Sequence, residues 1–156
     1  MIELLLIQDY ELIKSLMTIP GLPEASFKDE DLEKYQNNIF EPRQDMAYFL
    51  ILNDQIAVGL IVFEQISPQV VSWHWYINPK YWGTSISDEV LPLVYKYLDQ
   101  TQYTGLLGEV PDCCIAVRKA ALRAGLDLLC IVPRAVKWRN ELVGLCLFYK
   151  VLKEKL

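Results

Sequence analysis

The sequence has little of what metal sites and disulfide scaffolds are made from. Its 156 residues include one histidine, His74, and four cysteines without a Cys-x-x-Cys pair. Structural zinc sites take four His or Cys ligands at short spacings, so we expect no metal site. The adjacent Cys113 and Cys114 cannot bridge each other without severe strain, and four cysteines are too few for a disulfide scaffold. The thiols are therefore predicted to be reduced and mostly buried.

Basic charge is also scarce. The chain has 15 Lys and Arg against 20 Asp and Glu, which gives a formal net charge of −5. Proteins that bind nucleic acid through its phosphates normally present a basic face, so we expect no direct nucleic-acid binding. The one basic run, RAVKWR at 134–139, is more typical of a solvated loop.

Long hydrophobic runs are absent as well. The longest, 55–63 and 142–151, have the length of strands, whereas a helix that spans a bilayer needs roughly 20 residues. The N-terminal stretch MIELLLIQDYE lacks the basic start and small-residue cleavage site of a signal peptide. We therefore expect a cytoplasmic protein without a membrane span.

What is present is a composition typical of a folded chain, with 53% hydrophobic and 22% charged residues. No segment is biased enough to be a linker, and the length suits a single domain over 1–156. Hydrophobic patterning predicts strands and helices in a mixed α/β order. Predicted strands cover 2–7, 47–52, 55–65, 70–77, 105–110, 128–132 and 142–151; predicted helices cover 9–17, 28–36, 87–98 and 112–124.

The order is therefore β-α-α-β-β-β-α-β-α-β-β, without an internal repeat. Asn53-Asp54 is a hairpin signal, so the second to fourth strands are predicted to be consecutive and antiparallel. The breaker-rich TIPGLPEAS at 18–26 and the segment 37–45 are predicted as loops. Together these elements predict a central mixed, mostly antiparallel sheet.

One short stretch, PKYWGTSISD at 79–88, lies between a predicted strand and a predicted helix. The free N–H groups in the first turn of a helix can bind a phosphate there. Such loops usually carry several glycines, and this one has only Gly83. The alternative is a structural helix start, capped by the hydroxyl of Ser85 or Ser87 with Asp88 and Glu89 in the first turn. The missing glycines favour the capping interpretation.

The element order and this loop resemble the GNAT N-acetyltransferase fold. INPKYWGTSISDEVLPLVYKYL at 77–98 is similar to the loop-and-helix motif of that family, and GLLGEVPDCCIAVRKAALRAGL at 105–126 to its next strand and helix. SWHWYINPKYWG, GEVP and PRAVKWRNELVGLCLF resemble GNAT-like proteins of tailed bacteriophages, some of which are virion-associated. That resemblance implies protein subunits, including phage virion proteins, as partners, and a place in the host-cell cytoplasm or the virion.

The resemblance also implies acetyl-CoA as cofactor, with its pyrophosphate on the loop and its pantetheine arm between the fourth and fifth strands where they splay apart. The positions that match the family's (Q/R)GxGxG loop are Trp82, Gly83, Thr84, Ser85, Ile86 and Ser87. A frequent asparagine early in the next helix is matched by Cys114. A tyrosine that often acts as general acid is matched by Ala121, so the usual acid is missing.

His74 is the candidate general base. Strand alternation places Ser72, His74 and Tyr76 on one face and Trp73, Trp75 and Ile77 on the other. The ordinary histidine pKa of about 6.5 suits proton transfer near neutrality. The alternative is a structural role, in which the histidine is hydrogen-bonded within the fold. That role is the commoner one for a lone histidine in a strand.

Other side chains have weaker claims. Tyr76 is the candidate acid, with Tyr81 and Tyr103 as substitutes. Cys114, near a helix start, could have a lowered pKa and act as a nucleophile, although buried structural cysteines are commoner. Trp73 and Trp75 are predicted to be interior, while exposure of Tyr81 and Trp82 would indicate a protein interface.

Three functions remain open on the sequence. The departures at the loop glycines, the asparagine and the tyrosine favour a catalytically weak or silent protein that acts as a virion or assembly component through protein contacts. The alternatives are an active acetyl-CoA-dependent N-acyltransferase and a CoA-binding module without turnover.

Overall fold

The computed structural model describes residues 1–153. Within this range, seven strands and five α-helices follow one another, and a short 3-10 helix covers Pro79–Tyr81. They are β1 (Ile2–Ile7), α1 (Tyr10–Met17), α2 (Leu22–Ser26), α3 (Asp29–Gln36), β2 (Met46–Asn53), β3 (Ile56–Gln65), β4 (Val70–Ile77), α4 (Ile86–Asp99), β5 (Gly105–Pro111), α5 (Ile115–Arg123), β6 (Asp127–Trp138) and β7 (Glu141–Val151).

All seven strands form one sheet in the order β1-β2-β3-β4-β5-β7-β6. Neighbouring strands are antiparallel except β4 and β5, which pair in parallel over three residue pairs, from Val70–Gly105 to Ser72–Leu107. Beyond that point β4 stays paired with β3 through Ile77, and β5 stays paired with β7 through Pro111. The far halves of β4 and β5 therefore separate and leave an opening in the middle of the sheet.

Each face of the sheet carries its own apolar core. On one face, α4 buries Val90, Val94 and Leu98 against inward-facing strand residues that include Trp73 and Phe148. On the other, Ile13 of α1 packs with Leu60, Val62 and their neighbours. Because strand side chains alternate, Ser72, His74 and Tyr76 lie on the α1 face. The predicted division of β4 into a Trp73/Trp75 face and a His74 face is confirmed.

The predicted fold class, a mixed and mostly antiparallel sheet with helices, is confirmed. One helix was not predicted: α2 forms inside TIPGLPEAS, and Pro23 stands in its first turn. Proline is tolerated there because the N–H groups of the first turn make no hydrogen bond within the helix. The β2–β3 turn lies one residue later than expected, with positive φ at Asp54 and Gln55. Helix α5 begins at Ile115, three residues after the predicted start.

The largest error concerns β6. This strand runs to Trp138, so the basic run at 134–139 is mostly strand and not a solvated loop. Between Val132 and Val136 the register against β7 shifts, and Arg134 has a φ of 52°. The strand absorbs the extra residues as a bulge and continues beyond Pro133, which explains why the proline did not end it.

The cysteines are less buried than expected. Cys146 is buried, but Cys113 and Cys130 are exposed and Cys114 is intermediate. No helix among the described residues is long and apolar enough to cross a membrane.

Candidate functional site

The loop between β4 and α4 presents a row of free backbone N–H groups. Gly83 has a φ of 75°, and a Cβ at this position would meet no atom within 4 Å, so the backbone here is open to its surroundings. The N–H of Thr84 is held by the carbonyl of Tyr81 at 3.3 Å. Within residues 1–153, the N–H groups of Gly83, Ser85, Ile86 and Ser87 have no hydrogen-bond partner. A helix start in this condition can receive an anion.

The capping interpretation of Ser85 and Ser87 is wrong. Ser85 stands at the N-cap of α4, but neither its hydroxyl nor another side chain caps the helix. Instead, Oγ of Ser85 donates to Oε1 of Glu89 at 2.6 Å. The serine is thus engaged with a side chain one turn along the helix, and the backbone donors stay available.

The remaining loop residues hold its shape. The Trp82 indole N–H donates to the carbonyl of Ile77 at 2.8 Å, and the Thr84 hydroxyl donates to the carbonyl of Tyr81 at 2.6 Å. Ile86 is buried in the core, which fixes the start of α4 against the sheet. The side chains of three of the six loop residues expected at a cofactor, Trp82, Thr84 and Ile86, are thus engaged within the protein. The Trp82 side chain is also 51% exposed, so it lies at the protein surface beside the loop.

His74 lies on β4 two residues beyond the last pair with β5, and its ring is turned toward Glu64 of β3. Its Nε2 lies 3.5 Å from Oε2 of Glu64 on β3, without a hydrogen bond. Burial lowers the pKa of His74, and the attraction of the Glu64 carboxylate offsets that effect in part. The ring is therefore neutral at pH 7, and its Nε2 is buried beside the Glu64 carboxylate. Ser72 Oγ, two residues earlier on the same face, is also buried without a partner.

Tyr76 lies on the same face but deeper in the α1-side core. Its ring meets Phe27 edge-on, with the ring centroids 5.8 Å apart. Burial raises the pKa of Tyr76 well above its ordinary value, so its hydroxyl holds its proton firmly. The assignment of Tyr76 as general acid stays a prediction.

The charged residues around His74 were not predicted from the sequence. Continuing the parallel register of Ser72 and Leu107 by two residues sets His74 level with Glu109 of β5, across the opening. The Glu109 carboxylate accepts from Nζ of Lys28 at 3.2 Å. These residues are separated by 81 positions in the chain, and no sequence spacing signals their contact.

The segment that carries Lys28 is fixed on both sides. Phe27 is buried and stacks on Phe40 at a centroid distance of 5.0 Å. Asp29 accepts from the backbone N–H groups of Arg139 and Asn140 at 2.7 and 2.8 Å. These bonds lower the pKa of Asp29. The segment thus ties the helical layer to the β6–β7 turn beside the opening.

Cys114 does not have the properties of a nucleophile. It stands at the N-cap of α5, but burial, followed by the neighbouring Cys113, raises the pKa of its thiol. The expectation of a lowered pKa is therefore wrong, because desolvation outweighs the helix start. Among residues 1–153, no group of three His, Cys, Asp or Glu side chains could hold a metal ion.

These features fit a CoA-type cofactor. The open Gly83 and the free N–H groups after it suit a pyrophosphate, and β4 and β5 separate two residues before His74. Ser72 Oγ, at the last β4–β5 pair, and His74 Nε2, beyond it, are buried polar atoms without a hydrogen-bond partner among residues 1–153, a condition that calls for an explanation such as a polar ligand. The carboxylates of Asp88 and Glu89 in the first turn of α4 oppose an anion, and one of them is engaged by Ser85.

Comparison with known proteins agrees with this geometry at the level of fold. No protein-family model matches the sequence, and no curated protein matches it. Solved structures do match. Spermidine/spermine N-acetyltransferase SpeG from Vibrio cholerae has a TM-score of 0.73 at 14% identity, over 97% of this chain and 92% of that one.

Two further matches extend the comparison. RimL, a ribosomal L7/L12 alpha-N-protein acetyltransferase in complex with coenzyme A, has a TM-score of 0.74 at 13% identity, over 96% of this chain and 93% of that one. The yncA protein of Salmonella typhimurium, a proposed acetyltransferase solved with acetyl-CoA, has a TM-score of 0.76 at 12% identity, over 100% and 96%. The chain therefore has the GNAT acetyltransferase fold.

Proposed function

We propose that this GNAT-fold protein is an acyl-CoA-dependent N-acyltransferase that transfers an acyl group to an amine. The observation that carries the proposal is the row of unpaired N–H groups at the start of α4, beside the β4–β5 opening. Sequence departures at the loop glycines favoured a silent protein, but the backbone keeps the donors that those glycines serve in the family. Similar structures that contain CoA or acetyl-CoA support the same function.

Binding of the cofactor falls to the backbone. The N–H groups of Gly83, Ser85, Ile86 and Ser87 would hold the pyrophosphate, and the edges of β4 and β5 would hold the pantetheine arm. The bound cofactor supplies an acyl group activated as a thioester. Serine in place of glycine at 85 and 87 leaves the N–H groups in position, since Ser85 turns its hydroxyl toward Glu89.

Residues on the polar face of β4 would carry out proton transfer. A neutral His74, with a free Nε2, can take a proton from an acceptor ammonium. Glu109, level with His74 on β5, is a carboxylate that already holds one ammonium, that of Lys28, at 3.2 Å. The buried hydroxyl of Ser72 is a donor for negative charge that develops on the acyl oxygen.

Isothermal titration of acetyl-CoA into the purified protein tests the proposal. We expect micromolar binding, and we expect Ser85→Trp to abolish it because the indole fills the space over the free N–H groups. Gln102→Trp, in the exposed loop at the other end of α4, is the control and should bind like the unmodified protein. A folded protein that fails to bind millimolar acetyl-CoA would contradict the proposal.

A role as a virion component through protein contacts is a separate proposal that no comparison tests. The feature that supports a protein partner is the exposed indole of Trp82 at the cofactor mouth. Partner and cofactor would then compete for one surface, so a partner that binds there should be displaced by acetyl-CoA.

A further inference from the structure

Lys28 places a primary amine beside the separated segments of β4 and β5. Its Nζ lies 3.2 Å from Oε2 of Glu109, on the segment of β5 that borders the opening. His74 lies on the part of β4 that is no longer paired with β5, level with Glu109 in the continued register, and the charges of both Lys28 and Glu109 act on its ring. An ammonium, a carboxylate and a neutral imidazole are thus gathered beside the slot proposed for the thioester.

The placement of Lys28 is not that of a freely moving surface lysine. Phe27 before it is buried between Phe40 and Tyr76, and Asp29 after it accepts two backbone hydrogen bonds from the β6–β7 turn. The guanidinium of Arg139 also donates to the carbonyl of Phe27 at 3.1 Å. With the backbone held on both sides, the side chain is directed at the opening, and little conformational entropy is lost in presenting it.

We propose that Lys28 is an acyl acceptor of this protein, which acetylates its own Lys28 in an intramolecular reaction. The inference rests on the proposed function, because the thioester has to reach the β4–β5 opening. Glu109 holds the ammonium of Lys28 in place, and His74 is the base.

The chemistry balances with a thioester as the only co-reactant. His74 Nε2 takes one proton from the Lys28 ammonium, and the neutral Nζ attacks the acyl carbon of the thioester. The N–C bond forms and the C–S bond breaks. The second proton lost from Nζ goes to the departing thiolate, and His74 returns the first to solvent. The products are acetyl-Lys28, a thiol and one released proton.

Lys34 is a matched internal control. Its side chain is 44% exposed, as is that of Lys28, and it contacts a carboxylate of Glu30 at 3.3 Å. It lies on α3, away from β5 and His74. Lys34 is matched to Lys28 in exposure, but it also lies 3.6 Å from a carboxylate oxygen of Asp31, and Glu30 and Asp31 raise its pKa. Chemical acetylation of Lys34 is slowed by that pairing, so the loss of the Lys28 rate in Glu109→Gln and His74→Gln is the decisive comparison.

The experiment is peptide mass spectrometry of the full chain over a time course with acetyl-CoA. A parallel sample receives S-acetyl-N-acetylcysteamine, a thioester without the nucleotide. We expect Lys28 to be acetylated at least tenfold faster than Lys34, at a rate constant independent of protein concentration. Glu109→Gln and His74→Gln should reduce the Lys28 rate at least tenfold and leave the Lys34 rate unchanged.

Equal rates at Lys28 and Lys34 with both donors overturn the inference, and that comparison needs no variant that might fail to fold. A Lys28 preference with the small thioester but not with acetyl-CoA supports the inference and counts against cofactor binding on the loop. Acetyl-CoA binding in the titration with equal lysine rates supports the proposed function and overturns this inference. A Lys28 rate that rises in proportion to protein concentration also overturns it, because the acceptor would then belong to another copy.

Discussion

Oγ of Ser85 donates its hydrogen bond to Oε1 of Glu89, 2.6 Å away and one turn further along α4. The pair turns the serine away from the backbone groups that an N-cap hydroxyl usually serves. A helix start rich in hydroxyls has therefore kept its donors free. The same bond holds a carboxylate near the place where an anion would bind.

Glu89→Gln should strengthen acetyl-CoA binding. The change removes a negative charge from the first turn of α4, where it repels the pyrophosphate, and we expect about a two- to fivefold gain in affinity. The melting temperature should fall slightly, because the carboxylate also stabilises the positive end of the helix. Titration calorimetry and thermal unfolding give the two readouts.

Glu11→Gln is the matched control for that variant. Glu11 occupies the first turn of α1, so its neutralisation should cost a similar amount of stability and leave acetyl-CoA affinity unchanged. Weaker binding by Glu89→Gln would show that the Ser85–Glu89 pair supports the loop and does not oppose the anion.

His74 should make stability depend on pH between 7 and 5. Its pKa in the folded protein lies below the unfolded value of about 6.5, because burial disfavours the charged ring. Below pH 6.5 the unfolded chain takes up a proton that the folded chain binds less readily. The contribution of His74 to the free energy of unfolding is therefore fully present above pH 6.5. It is lost as the pH falls through the pKa of His74 in the folded protein.

Urea unfolding of the unmodified protein and of His74→Gln at pH 7 and pH 5 measures this effect. The charged groups around the ring are Glu64 of β3, Glu109 of β5 and Lys28 before α3. The unmodified protein should lose more unfolding free energy between the two pH values than the variant. Equal losses would mean that the ring is solvated in the folded state.

Gly59→Ala should destabilise the fold strongly. A Cβ at Gly59 would lie 2.4 Å from the carbonyl oxygen of Tyr76 and 3.0 Å from Cα of Ile77, and both belong to backbone that cannot move without disturbing the sheet. We expect a loss of about 3 kcal/mol, at the upper end for overpacked positions.

Gly83→Ala provides the comparison. Its Cβ would enter open space, so only the positive φ opposes it, at a cost of about 1 kcal/mol. Urea unfolding compares the two variants with the unmodified protein. If Gly59→Ala lowered the free energy of unfolding no more than Gly83→Ala, β3 and β4 would not approach each other as closely at Gly59 as the structure shows.

Local sequence patterns predicted the sheet because period-two alternation in 70–77 and apolar runs elsewhere report burial directly. The patterns failed at prolines that were taken to end an element but are accommodated inside one. Pro23 begins a helix as readily as it ends one, and Pro133 sits in a bulge that β6 passes through. Ser85 was predicted as a cap because its residue type favours capping, while its actual partner is a side chain.

The candidate site was predictable only along β4. His74 and Tyr76 share a face for a reason visible in the sequence, namely alternation. Glu109 and Lys28 join them through the parallel register of β4 with β5 and through the anchoring of Asp29 on the β6–β7 turn. Contacts of that kind depend on long-range topology, and a single sequence carries no local signal for them.

The three residue pairs between β4 and β5 also have a mechanical consequence. Among residues 1–153 they are the only strand pairing between two antiparallel blocks, β1 to β4 and β5 to β7, each of which is held by far longer pairings. A chain cut in the loop after α4, near Gln102, would give two pieces that each retain their own hairpins. We expect such pieces to reassemble when mixed, and the short β4–β5 pairing to form last. The same pairing should be the first to break when the protein is pulled apart mechanically.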